Sequence, residues 1–177
     1  MVQVYTGDGK GKTTAALGLA LRAAGHGYKV HIVQFMKGKV LSGAKGWPNY
    51  GELEALRHLP NITLVQFGRA AFVDSERPEP EDVRLAQEAW QHSLDVLRDG
   101  RYDVMVLDEI NVALDFGLIS LSQVMELLDA RPSHVELVLT GRRAHPRVIE
   151  RADLVTEMRA IKHPYDAGVA ARKGVEY

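Results

Sequence analysis

The chain has 177 residues, of which 46% are hydrophobic and 25% charged, a composition typical of a folded globular protein. Cysteine is absent, which excludes disulfides, thiolate metal sites and a cysteine nucleophile and fits a cytoplasmic location. The 22 basic and 23 acidic residues give a net charge of −1, so we expect no nucleic-acid partner. No apolar stretch approaches the ~20 residues of a membrane span, and we expect no membrane partner.

Short β-branched runs alternate with segments of helical period, a pattern that predicts βαβ units around a mainly parallel sheet. Strands are predicted at residues 2–6, 30–36, 62–67, 103–107, 135–140 and 154–158. Helices are predicted at residues 13–24, 52–59 and 80–99, after Ser120, and at residues 146–152. We find neither an internal repeat nor a linker, so residues 1–177 are predicted to form a single domain.

Two connections are long for a compact domain, at residues 37–51 and 68–80. Loops of this length are more often functional than idle. Each contains an aromatic residue in a glycine- or charge-rich setting, Trp47 in the first and Phe72 in the second. These connections are therefore candidates for ligand contacts.

A glycine-rich segment leads from the first strand into the first helix. It consists of Thr6, Gly7, Asp8, Gly9, Lys10, Gly11, Lys12, Thr13 and Thr14. Glycines let successive N–H groups face an anion, and the helix N-terminus adds its dipole. We expect Lys12 to reach the terminal phosphates of a nucleotide and the Thr13 hydroxyl to bind Mg²⁺. Thr6 replaces the usual first glycine, so the phosphate loop is a variant; the alternative is a tight turn without a ligand.

Two acids, Asp108 and Glu109, follow the fourth predicted strand. The carboxyl ends of parallel strands form the sheet edge where α/β proteins bind ligands. In a phosphate-loop protein one such acid holds Mg²⁺, and its neighbour is a second ligand or a base. The spacing leaves open which acid contacts the metal, and an Asp-Glu pair on its own is more often the negative charge at a helix start.

Basic residues follow the fifth predicted strand. Arg142 is nearer to the strand end than Arg143, so we predict that Arg142 binds phosphate, with a solvated basic turn as the alternative. The seven histidines include no pair at i, i+3 or i+4, and no histidine metal site is predicted.

These motifs resemble those of the ATP:corrinoid adenosyltransferases of cobalamin biosynthesis, the phosphate-loop type of cob(I)alamin adenosyltransferase. The resemblance covers nearly the whole chain and is carried by residues 6–14, 33–38, 107–109, 140–142 and 162–168. The predicted fold class is accordingly α/β, with a three-layer, phosphate-loop NTPase-like (recombinase-like) arrangement.

The resemblance implies that ATP and a divalent cation, Mg²⁺ or Mn²⁺, bind at the loop. It further implies that a corrinoid reduced to Co(I) attacks the ribose C5′ of ATP and that triphosphate leaves. Because Co(I) is itself a strong nucleophile, the protein needs neither a nucleophile nor a general base. The expected work of the protein is to orient C5′ and to neutralise the triphosphate with Lys12, Lys10, the cation and Arg142. The alternative for Lys10 is a solvent-facing loop lysine.

The resemblance also implies a homodimer, a cytoplasmic location and a reductase, such as a flavoprotein, that supplies Co(I). In this family an aromatic pair after a glycine covers the lower face of the corrinoid. Phe72 matches one aromatic of that pair, and no tryptophan matches the other. Phe72 is therefore predicted to bind the corrinoid, with a loop anchor packed on the core as the alternative.

Two other classes of protein share parts of this pattern. A phosphate-loop ATP hydrolase of the recombinase-like class would use Glu109 to orient water. A guanine-nucleotide switch would carry an Asn-Lys-x-Asp motif, and no asparagine of this chain is followed by lysine. The product formed from ATP distinguishes the three.

Overall fold

In the computed structural model, which describes residues 1–38 and 50–176, six strands form one sheet in the order β3-β2-β4-β5-β1-β6. All neighbouring strands are parallel. The strands are β1 Val2–Thr6, β2 Val30–Phe35, β3 Ile62–Phe67, β4 Val104–Asp108, β5 Glu136–Thr140 and β6 Leu154–Glu157. The predicted α/β class is confirmed, and the sheet is fully rather than mainly parallel.

Helices cover both faces of the sheet and complete three layers. They are α1 Lys12–Gly25, α2 Gly51–Leu56, α3 Pro80–Asp99, α4 Ile110–Asp115, α5 Leu121–Ala130 and α6 Pro146–Arg151, followed by a 3₁₀ helix at Pro164–Ala167. On one face, α1 places Ala16, Ala20 and Ala23 against the sheet, and these small side chains allow close packing. The larger core on the other face lies under α3, α4, α5 and α6.

Strand β4 lies inside the sheet, between β2 and β5, and all five of its residues are buried. An apolar strand without alternation predicts burial on both faces, and the structure confirms it. The predicted capping box of α5 is also confirmed, since Ser120 Oγ accepts from Gln123 N at 3.2 Å and Gln123 Oε1 accepts from Ser120 N at 2.9 Å. The centre of the sheet is thus a rigid base for the side chains at its edge.

The first turn of α3 differs from the sequence-based prediction. The helical spacing of Val83, Ala86, Trp90, Leu94 and Leu97 predicts one apolar stripe along this helix, yet Val83 is 37% exposed. The buried residue of this turn is Asp82, which accepts from Arg69 Nε and Nη2 at 2.7 and 2.6 Å and from Glu79 N at 3.1 Å. Because this carboxylate takes the inward position, the apolar stripe of α3 starts one turn later, at Ala86.

Two short helices were missed by sequence analysis, α4 and the 3₁₀ helix. Six and four residues are too few to establish a helical period. The predicted connection at residues 37–51 lies largely outside the described residues, and so does Trp47. Within the described part of the chain, every helix is too short or too polar to cross a membrane.

Candidate active site

The candidate site lies at the carboxyl edge of the sheet, where the parallel order brings several strand ends together. The phosphate loop follows β1, Lys37 follows β2, Asp108 ends β4 and Thr140 ends β5. Side chains from these segments converge on one carboxylate, that of Asp108. The predicted meeting of the phosphate loop and the acids after β4 is therefore present.

The phosphate loop needs its glycines for two physical reasons. Gly7 and Gly11 have φ angles of +93° and +122°, which favour glycine. A Cβ on Gly7 would also lie 2.5 Å from the carbonyl oxygen of Met158, and Gly9 N donates to that same oxygen at 2.6 Å. The segment after β6 thus lies directly against the loop, a contact that sequence analysis missed because nothing in the local pattern marks Met158.

Lys12 is buried within the loop that precedes it. Its Nζ donates to Gly7 O at 2.7 Å and to Gly9 O at 2.8 Å. Burial lowers the pKa of the Lys12 ammonium below its usual value; the Glu109 carboxylate opposes this shift, and the Arg142 charge adds to it. The ammonium is therefore at the phosphate loop, as expected, and hydrogen-bonded to the loop backbone.

Lys10 points to a different part of the chain. Its Nζ donates to Val175 O at 2.5 Å and to Glu176 Oε1 at 3.0 Å. The Arg172 side chain donates to both oxygens of the same carboxylate, and these hydrogen bonds together lower the pKa of Glu176 to about 2. Lys10 is exposed, in keeping with the alternative of a solvent-facing loop lysine, and its ammonium contacts the segment 172–176; its part in phosphate binding stays a prediction.

Asp108 is almost completely buried, at 1% exposure, and it accepts four hydrogen bonds. Oδ1 accepts from Thr13 Oγ1 at 2.8 Å and from Thr140 Oγ1 at 2.7 Å. Oδ2 accepts from Gln34 Nε2 at 3.1 Å and from Lys37 Nζ at 2.8 Å. Burial alone would raise the pKa of Asp108, but the Lys37 charge and the hydrogen bonds outweigh it and lower the pKa below its usual value.

Glu109 occupies a different environment from its neighbour. It has a φ of 63°, unusual outside glycine, and its N–H donates to Thr140 Oγ1 at 2.9 Å. Burial, followed by the charge of Asp108, raises the pKa of the Glu109 carboxyl. Glu109 lines an open cavity of about 410 Å³ that Asp108 does not line. Glu109 is also the N-cap residue of α4, so its charge does lie at a helix start, as in the alternative, although its side chain makes no capping hydrogen bond.

The same cavity is lined by the phosphate loop with the start of α1 and by four other segments of the chain. Thr13 and Thr14 line it from the phosphate loop, and Lys37 and Tyr50 line it from the chain between β2 and α2. The remaining lining residues are Leu17, Gly51, Glu52, Gly174, Val175 and Glu176. Sequence analysis missed the segment 174–176, which is separated from the loop by most of the chain.

The two arginines after β5 have different surroundings. The charge of Arg142 contributes to lowering the pKa of both Lys12 and Glu109, so its guanidinium lies within electrostatic reach of the site. Arg143 instead donates to Asp115 Oδ2 at 3.1 Å on the surface. Arg142 is therefore the better placed of the two to bind phosphate.

Phe72 lies in the irregular connection between β3 and α3, and its side chain is 90% exposed. The alternative of a loop anchor packed on the core is therefore wrong. The start of this connection is held against the chain after β2, because a Cβ on Gly68 would lie 2.5 Å from Lys37 N and one on Gly38 would lie 2.3 Å from Arg69 C. The Phe72 connection thus begins beside Lys37, at the carboxyl edge of the sheet.

Two polar residues of β2 and β3 were missed as parts of the site. Gln66 Nε2 donates to Gln34 Oε1 at 2.8 Å, and Gln34 Nε2 in turn donates to Asp108 Oδ2 at 3.1 Å. The signal in the sequence was the polar residue Gln34 within a predicted strand. The structure shows that all six positions of this strand are buried, so the Gln34 amide needs hydrogen-bond partners.

Comparison with known proteins identifies the family. A sequence model of ATP:corrinoid adenosyltransferase BtuR/CobO/CobP matches residues 1–177. The corrinoid adenosyltransferase of Escherichia coli (strain K12) is 39% identical over 177 residues, which span all of this chain and 85% of the relative. Corrinoid adenosyltransferase CobA of Salmonella typhimurium has the same identity and coverage, and the Pseudomonas aeruginosa corrinoid adenosyltransferase is 38% identical over 98% of this chain and 82% of its own length. The chain therefore belongs to the ATP:corrinoid adenosyltransferase family.

Proposed function

We propose that this transferase moves the 5′-deoxyadenosyl group of ATP to the Co(I) of a reduced corrinoid, in the synthesis or salvage of adenosylcobalamin. The Co–C5′ bond forms while the C5′–O bond breaks, and triphosphate leaves with the bonding electron pair. Family membership over the whole chain supports this function. The observation that carries it is the 2.8 Å hydrogen bond between Thr13 and Asp108, which joins the phosphate loop to the acids after β4.

The basic side chains of the loop hold the triphosphate. Lys12 exchanges its two loop carbonyl partners for phosphate oxygens, and the loop N–H groups and the start of α1 supply further positive potential. Arg142 adds a second positive charge at the same edge, and Lys10 adds a third once its ammonium exchanges Val175 O and Glu176 for phosphate oxygens. These charges stabilise the leaving group as its negative charge develops. Thr6, Gly7, Asp8, Gly9, Gly11, Thr13 and Thr14 complete the proposed ATP contacts.

The oxygen donors at the sheet edge fit Mg²⁺ or Mn²⁺, because hard cations prefer hydroxyl and carboxylate oxygens. We infer that Thr13 and Glu109, which both line the cavity, contact the cation. Asp108 already accepts four hydrogen bonds, which fills the acceptor capacity of its two oxygens. It acts through Thr13, whose hydroxyl hydrogen it accepts. When bound, the cation neutralises charge on the triphosphate.

The corrinoid side of the proposal rests on Phe72 and on the family. An exposed aromatic ring at the β3–α3 connection offers an apolar surface to a flat macrocycle. A single domain over residues 1–177, a cytoplasmic location, a homodimer and a flavoprotein reductase that supplies Co(I) are further parts of the proposal. The single domain is inferred from a sequence without a repeat or linker, and the cytoplasmic location from the absence of cysteine. The homodimer and the reductase rest on the family resemblance.

The test is incubation of the protein with ATP, Mg²⁺ and chemically reduced corrinoid. We expect the corrinoid absorbance to change to that of the adenosylated form, with one triphosphate released per corrinoid. Release of orthophosphate with an unchanged corrinoid spectrum would instead establish the hydrolase alternative. Lys12→Ala, assayed in parallel, shows whether the product depends on the phosphate loop.

A further inference from the structure

Lys37 is a lysine in an unusual position. It follows β2 within the segment 33–38, and its side chain is only 14% exposed, whereas lysines are rarely buried unless they are paired. Its Nζ lies 2.8 Å from Asp108 Oδ2 and 5.1 Å from the centre of the Tyr50 ring. The site as described above gives this buried cation no role.

The backbone of Lys37 is held from behind. Gly68 packs so closely that a Cβ there would lie 2.5 Å from Lys37 N and 2.9 Å from Lys37 C. The side chain therefore starts from a fixed point and reaches a fixed carboxylate. Such an arrangement is suited to positioning another group, because the Lys37 backbone is closely packed and the Asp108 carboxylate accepts four hydrogen bonds.

The four hydrogen bonds to Asp108 divide between its two oxygens. Lys37 and Gln34 donate to Oδ2, whereas Thr13 and Thr140 donate to Oδ1. Among the described residues, Lys37 is the cation that donates to this carboxylate. It offsets the cost of burying the negative charge, and together with Gln34 it prevents the carboxylate from rotating. The orientation of Oδ1 toward Thr13 thus depends on the groups that hold Oδ2.

We propose that Lys37 is a positioning residue for the nucleotide site: it holds Oδ2 of Asp108 so that Oδ1 accepts the Thr13 hydrogen and the Thr13 oxygen is presented to the cation that accompanies ATP. Lys37 acts through Asp108 and Thr13 and does not itself contact the triphosphate. The inference rests on the proposed function for its ligand, ATP with a divalent cation, and it does not depend on the corrinoid.

The test compares Lys37→Met with Lys37→Arg by calorimetric titration of ATP without corrinoid, once with Mg²⁺ and once with EDTA. We expect Lys37→Met to weaken ATP binding at least tenfold with Mg²⁺ and less than twofold in EDTA, and to raise the half-saturating Mg²⁺ concentration about tenfold. Lys37→Arg, which keeps a donor and a charge, restores most of the Mg²⁺ dependence. Lys29→Met removes an exposed lysine before β2 and serves as the control with wild-type binding.

Two results overturn the proposal. An equal loss of ATP affinity with and without Mg²⁺ means that Lys37 contacts the nucleotide directly, and unchanged Mg²⁺ dependence means that Asp108 does not need it. If Lys37→Met fails to fold, Gln34→Leu tests the same oxygen with a neutral donor, and we expect a two- to threefold rise in the half-saturating Mg²⁺ concentration. No change in that variant overturns the proposal as well. Because the titrations contain no corrinoid, their outcome is independent of which product the enzyme makes.

Discussion

Strand β2 carries a buried polar residue toward each end. One of these residues belongs to a charged cluster of side chains and the other to a neutral cluster. Gln34, near the carboxyl end, connects to Asp108 and Lys37. His31, near the other end, contacts Thr63 Oγ1 through Nδ1 at 2.6 Å and His92 Nε2 through Nε2 at 2.9 Å. Both residues are almost fully buried, at 0% and 4% exposure.

The clusters differ in whether the buried ionisable group contacts a residue of opposite charge. Burial, followed by the positive charges of His92 and Arg101, lowers the pKa of His31 to about 4, so its ring is neutral near pH 7. Asp108 is buried to the same degree and yet keeps its charge, because Lys37 donates to it. Burial alone therefore produces a neutral cluster, and a charged one requires a partner. The nucleotide chemistry lies where that partner is present.

The largest expected effect comes from removing the ammonium group of the phosphate loop, that of Lys12. Lys12→Ala is expected to reduce adenosyl transfer at least a hundredfold and to weaken ATP binding at least tenfold, because a charge-assisted contact of about 1.5–3 kcal/mol is lost. Turnover and calorimetric titration measure the two effects, and a thermal melt controls for folding. Wild-type turnover in this variant would contradict the phosphate-loop assignment.

The two acids should separate under conservative substitution. Glu109→Gln is expected to raise the Mg²⁺ concentration for half-maximal rate about tenfold with little change in the melting temperature, because the side chain lines the cavity. Asp108→Asn is expected to raise it as well and in addition to cost about 3 kcal/mol of stability, because it leaves Lys37 buried without its partner. Metal titration of the rate and denaturant unfolding measure the two quantities. Equal stability of the two variants would contradict the inference that Asp108, and not Glu109, is the partner of the Lys37 charge.

The neutral cluster predicts a pH dependence of stability rather than of activity. The pKa of His31 is lower in the folded chain than the usual 6.5, so the unfolded chain binds more protons. Stability is therefore fully present above pH 6.5 and declines as the pH falls toward 4, by roughly 3 kcal/mol in total. Unfolding curves at several pH values for the wild type and His31→Asn test this. Parallel pH profiles for the two proteins would show that His31 is not responsible.

The smallest effect on folding is expected outside both clusters, at Phe72. Phe72→Ala should leave the melting temperature near that of the wild type, because the ring is 90% exposed, whereas a buried Phe→Ala change costs about 3–5 kcal/mol. Activity should fall mainly when the corrinoid enters as Co(II) with a weak protein reductant. An apolar ring against the lower face of the corrinoid would exclude the lower axial ligand of Co(II) and so make its reduction to Co(I) easier. Assays that start from Co(II) and from Co(I) measure the difference. Equal losses in both would remove Phe72 from the reduction step.

Sequence by itself determined the features that depend on neighbouring residues. The pattern of apolar residues predicted six strands with boundaries within one residue of those observed, and glycine spacing with Lys12 and Thr13 predicted the phosphate loop. The acids after β4 were placed at the correct sheet edge because the carboxyl ends of parallel strands share that edge. Helix α4 was missed because its six residues, Ile110–Asp115, are too few to show a helical period.

Tertiary structure alone decided which side chains meet. Lys37 and Asp108 are 71 residues apart, and they meet because β2 lies beside β4. Thr13 and Asp108 are 95 residues apart, and they meet because α1 packs against β4. Local pattern carries no information about strand order, so it left open which acid contacts the cation and assigned Lys37 no role. The pKa directions were equally out of reach, because the burial and charges that set them come from distant segments brought together by folding.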